Sequence, residues 1–272
     1  MSFSKKKKYG QNFLTSPRIP ERIVSESGIS ENDCVLEIGP GMGILTKPLA
    51  EKAKKVVCVE IDNELIPFLE EKFVDYDNVS IINADILKTD LEAIFKSHFD
   101  GEDVCVCANL PYYITTPILT YLFESKVKFK SITVMVQKEM ADRISSKAGE
   151  KEYSSFSAYV SYFAEVKKLF TVPASAFSPP PKVNSAVVKL SLHKSPPVAP
   201  KNIDLFFKVL NGGFSARRKT LVNSLNIAFS GKYTKEQLAE AVREVAGKES
   251  VRGEELDIEK FSRISDILND KS

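Results

Sequence analysis

Asn109, Leu110, Pro111 and Tyr112 directly follow a short apolar run, and their types and order suit one kind of chemistry. Asn109 brings a side-chain oxygen that accepts hydrogen bonds, and a backbone carbonyl beside Pro111 brings a second acceptor. Pro111 fixes its own φ and restricts Leu110, so both acceptors are held in one geometry. Such a pair can engage both N–H groups of an amine whose lone pair is delocalised into a ring, as in adenine. Held this way, the nitrogen is favoured in a pyramidal form whose lone pair points outward as a nucleophile. Tyr112 adds an aromatic face on which a base can stack. No strong general base is needed, because an alkylated nitrogen turns acidic and sheds its proton. An Asn-x-Pro turn is also a common way to end a strand. Its place just past an apolar, strand-like run favours the chemical reading.

Upstream, Glu37-Ile38-Gly39-Pro40-Gly41-Met42-Gly43 joins a first apolar run to a helical pattern. Glycines there let the backbone turn sharply and approach a ligand without a Cβ in the way. The pattern is G-x-G-x-G, with no Lys-Ser/Thr pair after it, so it matches neither a dinucleotide fingerprint nor a P-loop. Alone it is equally a tight strand-to-helix turn. Glu60 ends the second run, where a carboxylate accepts from ribose hydroxyls, and Asp85 follows the third, where it can accept from an adenine amine. Either acid could instead cap a helix or sit in a solvated loop. Three such features in chain order, each past the carboxyl end of a strand, favour a nucleoside site at that edge. Acid-rich, phosphate-poor surroundings suit a sulfonium nucleoside, S-adenosylmethionine, better than NAD.

The elements that must position these groups follow from periodicity. Short apolar runs at 34–38, 56–60, 79–82, 104–108 and 132–136 alternate with helical patterns at 44–53, 63–74 and 117–124. That alternation predicts an α/β fold with a mostly parallel sheet covered on both faces. A late run at 186–192 predicts an antiparallel strand near the sheet's end. Proline-rich residues 195–200 break regular structure, and 204–214, 235–245 and 258–268 then read as helices. Thr234 and Gln237 form a capping box for the second of these. A domain boundary is therefore expected near residue 196.

The chain has 272 residues, 43% hydrophobic and 27% charged, with a net charge of +2. Those values describe a soluble globular protein with a sizeable core. No apolar run approaches the ~20 residues needed to cross a bilayer. The amino terminus carries charge without an apolar segment, which argues against a secretory signal and for a cytoplasmic address. Cys34, Cys58, Cys105 and Cys107 lie in apolar stretches without metal-ligand spacing, so buried free thiols are expected and a metal site is not. The charge is unevenly spread. Lys5, Lys6, Lys7 and Lys8 are consecutive, and Arg217, Arg218 and Lys219 form a second cluster. Either can contact nucleic-acid phosphate, although a lysine run is equally consistent with a solvated surface.

Seven motifs taken together resemble the small-subunit ribosomal RNA adenine dimethyltransferase family over nearly the whole chain. They are Tyr9-Gly10-Gln11-Asn12-Phe13-Leu14, the 37–43 loop, Glu60, Asp85, the 109–112 turn, Phe177-Ser178-Pro179-Pro180-Pro181-Lys182-Val183, and the 213–221 segment with Arg217, Arg218 and Lys219. The resemblance implies a Rossmann-like S-adenosylmethionine methyltransferase sheet at 1–195 with a basic amino-terminal arm, and a small helical rRNA-binding domain at 196–272. It implies that Asn12, Leu14, Gly39, Gly41, Glu60, Asp85 and Asn109 contact S-adenosylmethionine. Asn109, Leu110, Pro111 and Tyr112 would handle the target adenine, with Phe177 on its other face. The substrate would be two adjacent adenosines near the 3′ end of small-subunit rRNA, each methylated twice, within an immature small ribosomal subunit. Lys5 to Lys8 and the 217–219 cluster would grip the rRNA backbone, with the enzyme acting as a monomer and without a membrane. A large-subunit methyltransferase of the macrolide-resistance type shares the catalytic tetrapeptide, but 177–183 and 215–221 favour the small-subunit reading. A DNA adenine methyltransferase would need a further target-recognition domain. A non-enzymatic assembly checkpoint is the alternative of a different class, which a catalytically dead variant would separate from the enzyme.

Overall fold

The computed structural model describes residues 13–271, so Lys5, Lys6, Lys7, Lys8 and Asn12 lie outside the described residues. In chain order the strands are β1 (Phe13–Leu14), β2 (Cys34–Ile38), β3 (Lys55–Glu60), β4 (Val79–Asn83), β5 (Val104–Asn109), β6 (Phe129–Gln137), β7 (Ala164–Val172), β8 (Phe177–Ser178) and β9 (Ser185–Leu192). The helices are α1 (Arg18–Ser27), α2 (Thr46–Lys52), α3 (Ile66–Lys72), α4 (Leu91–Ile94), α5 (Thr115–Glu124), α6 (Lys138–Ser145) and α7 (Ser155–Phe163). Beyond the last strand come α8 (Ile203–Gly213), α9 (Leu221–Phe229), α10 (Lys235–Ala246) and α11 (Ile258–Asn269).

Seven strands form one sheet in the order β4-β3-β2-β5-β6-β9-β7. From β4 to β6 every neighbouring pair is parallel. All five residues of β2 and the first five of β5 are buried, which is why both read as continuous apolar runs rather than alternating ones. β9 pairs antiparallel with β6, with Gln137 opposite Ser185. This is the mostly parallel α/β sheet expected from the alternation, and its strand order agrees with the Rossmann-like sheet that the resemblance implies. Its chain order has one consequence for function. From β2 the chain winds outward through β3 and β4, then returns to place β5 on the other side of β2. A crevice opens where the order reverses, outside the carboxyl ends of β2 and β5. The glycine loop follows β2, and the 109–112 turn ends β5.

The chain divides into two compact units. Among the described residues, one combines those up to Ala141 with Lys167–Leu192; the other combines Asp142–Val166 with those from His193 onward. The sequence predicts a single cut near residue 196, whereas by compactness 142–166 falls in the helical unit. The reason is packing. Tyr153 and Ala158 are buried with Leu205, Phe206, Val209 and Phe261 in one apolar core. The Tyr153 hydroxyl donates to the Leu256 carbonyl at 3.1 Å, and the Gly149 amide to the Glu254 carbonyl at 2.7 Å. Nothing in the local composition of 142–166 marks which core takes it. Within the helical unit the expected capping box is formed: the Gln237 amide donates to Thr234 Oγ1 at 3.2 Å, and the Thr234 amide to Gln237 Oε1 at 2.8 Å.

Candidate active site

The crevice at the reversal point is a cleft of about 1110 Å³, open solvent included. Gly39, Gly41, Glu60, Asp85 and Asn109 all line it, and so do Leu14, Leu110, Pro111 and Tyr112. Residues scattered over almost a hundred positions of sequence are thus gathered at one sheet edge.

The glycine loop needs its glycines. Gly39 has φ of 68°, and a Cβ there would project into open space with nothing within 4 Å, so its absence leaves backbone facing the cleft. Gly43 has φ of 69°, and a Cβ there would stand 2.6 Å from the Phe73 ring. The loop is pinned to β3 by the Gly39 amide, which donates to the Val59 carbonyl at 2.9 Å.

Glu60 is 3% exposed, and its carboxylate ties two backbone segments together. Oε2 accepts from the Gly41 amide at 3.0 Å, and Oε1 from the Asp62 amide at 2.9 Å. Burial raises its pKa, and these amide donors work against that rise. Each carboxylate oxygen keeps lone-pair capacity for a further donor. A buried carboxylate beside a Cβ-free backbone therefore fits a ligand offering hydroxyl donors. Asp85 divides its capacity: Oδ1 accepts from the Leu87 amide at 3.1 Å, capping the short turn Ile86–Lys88, and Lys88 stands 3.7 Å from Oδ2. The helix-capping alternative and the cleft position are both realised in this one residue.

Across the cleft, the turn after β5 is held by three bonds. The Leu110 amide donates to the Met135 carbonyl at 3.1 Å, while the Pro111 carbonyl accepts from the Ile114 amide and the Thr115 hydroxyl, each at 3.2 Å. With Pro111's carbonyl so engaged, the carbonyl of Leu110 is the other backbone acceptor beside Pro111. Tyr112 is anchored at its far end, its hydroxyl 2.7 Å from Ser185 Oγ on β9. Burial raises the Tyr112 pKa, so the phenol stays protonated.

Other expected residues fall elsewhere. Phe177 is 3% exposed, packed with Leu14, Ile23 and Val172 beneath the β1–β8 pairing, and does not line the cleft. In this conformation it offers no free face to a base, so its sequence reading needs movement of the 177–181 segment. Arg217 donates to the Lys151 carbonyl at 2.8 Å and lies 3.4 Å from Glu254, whereas Arg218 and Lys219 are exposed and directed to solvent without an ion pair among the described residues. Among the described residues no group of three or more His, Cys, Asp or Glu is placed to hold a metal, and no helix is long and apolar enough to cross a membrane. The four cysteines are free and buried.

Sequence reasoning missed Ser185, because only the antiparallel insertion of β9 beside β6 brings it to Tyr112. It also passed over Glu37 as an ionisable group. That side chain is 1% exposed, borders the cleft, and accepts from the Cys58 thiol at 3.3 Å. Burial pushes its pKa up to about 7, with the nearby Glu60 charge adding to the rise. The folded chain thus binds this proton more tightly than the unfolded chain does. Stability from this group is full below pH ~4.5 and is lost as pH rises toward 7. E37Q is accordingly expected to gain on the parent by about 2 kcal/mol between pH 5 and pH 8 in urea denaturation. A difference independent of pH would refute it.

The chain matches the family described as ribosomal RNA adenine dimethylase over residues 2–270. A ribosomal RNA small subunit methyltransferase A of Lachnoclostridium phytofermentans is 47% identical over 266 residues, which is 97% of this chain and 92% of that protein. Among solved structures, a dimethyladenosine transferase from Plasmodium falciparum superposes with a TM-score of 0.80 at 30% identity, over 95% of this chain and 98% of that one. The 23S rRNA methyltransferase ErmE superposes with a TM-score of 0.74 at 25% identity, over 95% of this chain and 100% of that one.

Proposed function

The chain belongs to the ribosomal RNA adenine dimethylase family, and from that premise we infer that it dimethylates the N6 amines of two adjacent adenosines near the 3′ end of small-subunit rRNA. It is an S-adenosylmethionine-dependent rRNA adenine dimethyltransferase. The observation that carries the residue roles is the shared cleft, with the acceptor turn after β5 facing the glycine loop and Glu60 across one crevice.

The cofactor supplies an electrophilic methyl group on a sulfonium sulfur. Gly39, Gly41 and Leu14 would hold it, Glu60 would accept from its ribose hydroxyls, and Asp85 from its adenine amine. The Asn109 side-chain oxygen and the Leu110 carbonyl would accept the two N–H groups of the target amine and aim its lone pair along the line of transfer. Tyr112 would stack on the base once it has left its own helix. Ser185 would keep the Tyr112 ring from swinging. S185A is expected to lower kcat by about tenfold with little change in cofactor affinity, a split that steady-state kinetics reads directly. Unchanged kcat would remove Ser185 from the account.

The substrate form is an immature small subunit, met by a monomer in the cytoplasm. Free thiols at all four cysteines support a reducing compartment. Arg218 and Lys219 would bind rRNA phosphates and supply affinity rather than base selection, and Lys5 to Lys8 would add to the same grip. The test is incubation with labelled cofactor and unmethylated small subunits, naked rRNA or DNA, followed by nucleoside mass spectrometry. Dimethyladenosine is expected at two adjacent positions in the subunits. Its appearance only on large-subunit rRNA or DNA would refute the assignment.

A further inference from the structure

Lys72 closes α3, and its contacts converge on the glycine loop. Its Nζ donates to the Met42 carbonyl at 2.6 Å and lies 3.4 Å from the Gly43 carbonyl. The same ammonium stands 5.7 Å from the Phe68 ring centroid and 5.6 Å from that of Phe73, within the range where a cation is drawn to an aromatic face. Phe73 and Leu69 also form the wall against which Gly43 is pressed. The end of α3 therefore grips the loop twice, by packing at Gly43 and by a charged donor at two carbonyls. On the loop's other flank, the Gly41 amide donates to Glu60. Burial lowers the Lys72 pKa and Lys47 adds to the effect, while Glu37 opposes it; the cost of holding the cation there is partly met by that carboxyl.

We propose that Lys72 is a positioning residue for S-adenosylmethionine: bound to the Met42 and Gly43 carbonyls, it fixes the glycine loop before the cofactor arrives. The inference rests on the reading of the cleft as the cofactor pocket. A segment with glycines at 39, 41 and 43 has more backbone freedom to lose than one with side chains at those positions. A donor that bridges two consecutive carbonyls removes part of that freedom in the free protein, so binding need not supply the ordering. The loop in turn presents the Gly41 amide to Glu60, so the latch acts on the ribose end of the ligand. Asn109 and Tyr112 lie across the cleft on β5 and its turn, and the latch does not touch them.

The test compares K72M and K72R with the parent in the full-length chain. It reads KM for S-adenosylmethionine, kcat at saturation, the thermal midpoint, and the Kd of 5′-methylthioadenosine, a nucleoside with no carboxylate. K72M is expected to weaken both ligands by about fivefold, the scale of one typical net hydrogen bond. Its kcat should stay within about twofold and its midpoint within a few degrees, and K72R, which keeps N–H donors, should recover most of the affinity. Unchanged KM in K72M overturns the proposal, and so does a kcat that falls in step with affinity. Weaker S-adenosylmethionine binding with unaltered methylthioadenosine binding also overturns it, because the lysine would then be touching the cofactor's carboxylate directly. If the parent chain binds neither ligand, the pocket assignment itself fails and the latch falls with it.

Discussion

Asn109→Ala is expected to lower the rate of methyl transfer by about 10²–10³-fold, the scale seen when one preorganised hydrogen-bonding group is removed from an active site. The loss should appear mainly in kcat. Without the side-chain oxygen, one N–H of the target amine has no acceptor, so the nitrogen remains planar and its lone pair stays in the ring. The turn itself should survive, since the Leu110 amide to Met135 and the two donors to the Pro111 carbonyl do not involve the Asn109 side chain. The thermal midpoint is therefore expected to move by no more than a few degrees, and cofactor affinity to fall modestly, because Asn109 lines the same cleft as the residues proposed to hold the cofactor. Single-turnover transfer to unmethylated small subunits measures the effect. A variant with near-parental turnover would strip Asn109 of its role.

Glu60→Ala is expected to weaken S-adenosylmethionine binding by about 100-fold, close to 3 kcal/mol, when measured by calorimetry. Two losses combine. The ribose hydroxyls lose their proposed charged acceptor, and the Gly41 and Asp62 amides lose the carboxylate to which both donate in the free protein. Glu60→Gln should be nearly as damaging despite its shape. An amide has one oxygen and one NH₂ group, so one of the two backbone donors would face another donor. The same carboxylate gives binding a pH dependence. Burial raises its pKa, and only the anion accepts from all its partners, so affinity should decline on acidification from a higher pH than an ordinary glutamate would cause. The stability linkage runs the opposite way. The folded state holds this proton more tightly, so the group's contribution to stability falls as pH rises through its shifted pKa. Cofactor affinity unaffected by Glu60→Ala would place the ribose elsewhere.

The chemistry of the site was legible because its residues sit where the chain changes element type. Asn109-Leu110-Pro111-Tyr112 ends β5, Glu60 ends β3, and the glycines leave β2. Each is marked locally, by a proline, a carboxylate after an apolar run, or a repeated glycine. The strands themselves were legible because β2 and β5 are buried on both faces and so read as unbroken apolar runs. β7 was not, since Glu165, Lys167 and Lys168 interrupt its pattern, and several of its residues face solvent at the end of the sheet order. α9 was missed for a related reason: Leu221, Val222 and Leu225 are buried, but the stretch carries no capping box or charged face to delimit it.

Sequence alone specified the alternating α/β class, three of the four α-helices after the last strand with the capping box of one, and the chemical types at the strand ends. These depend on periodicity, φ preference and side-chain chemistry within a few residues of each other. Tertiary structure decided what had to be brought from far away. It set Ser185 against Tyr112, Lys72 against the glycine loop, and Glu37 in an apolar setting where its carboxyl titrates near 7. It also enclosed Phe177 in the core rather than at the cleft, tied Arg217 to Glu254, and gave 142–166 to the helical unit. Burial, pKa and hydrogen-bond partners are properties of the assembled surroundings, and residues distant in the chain supply most of those surroundings.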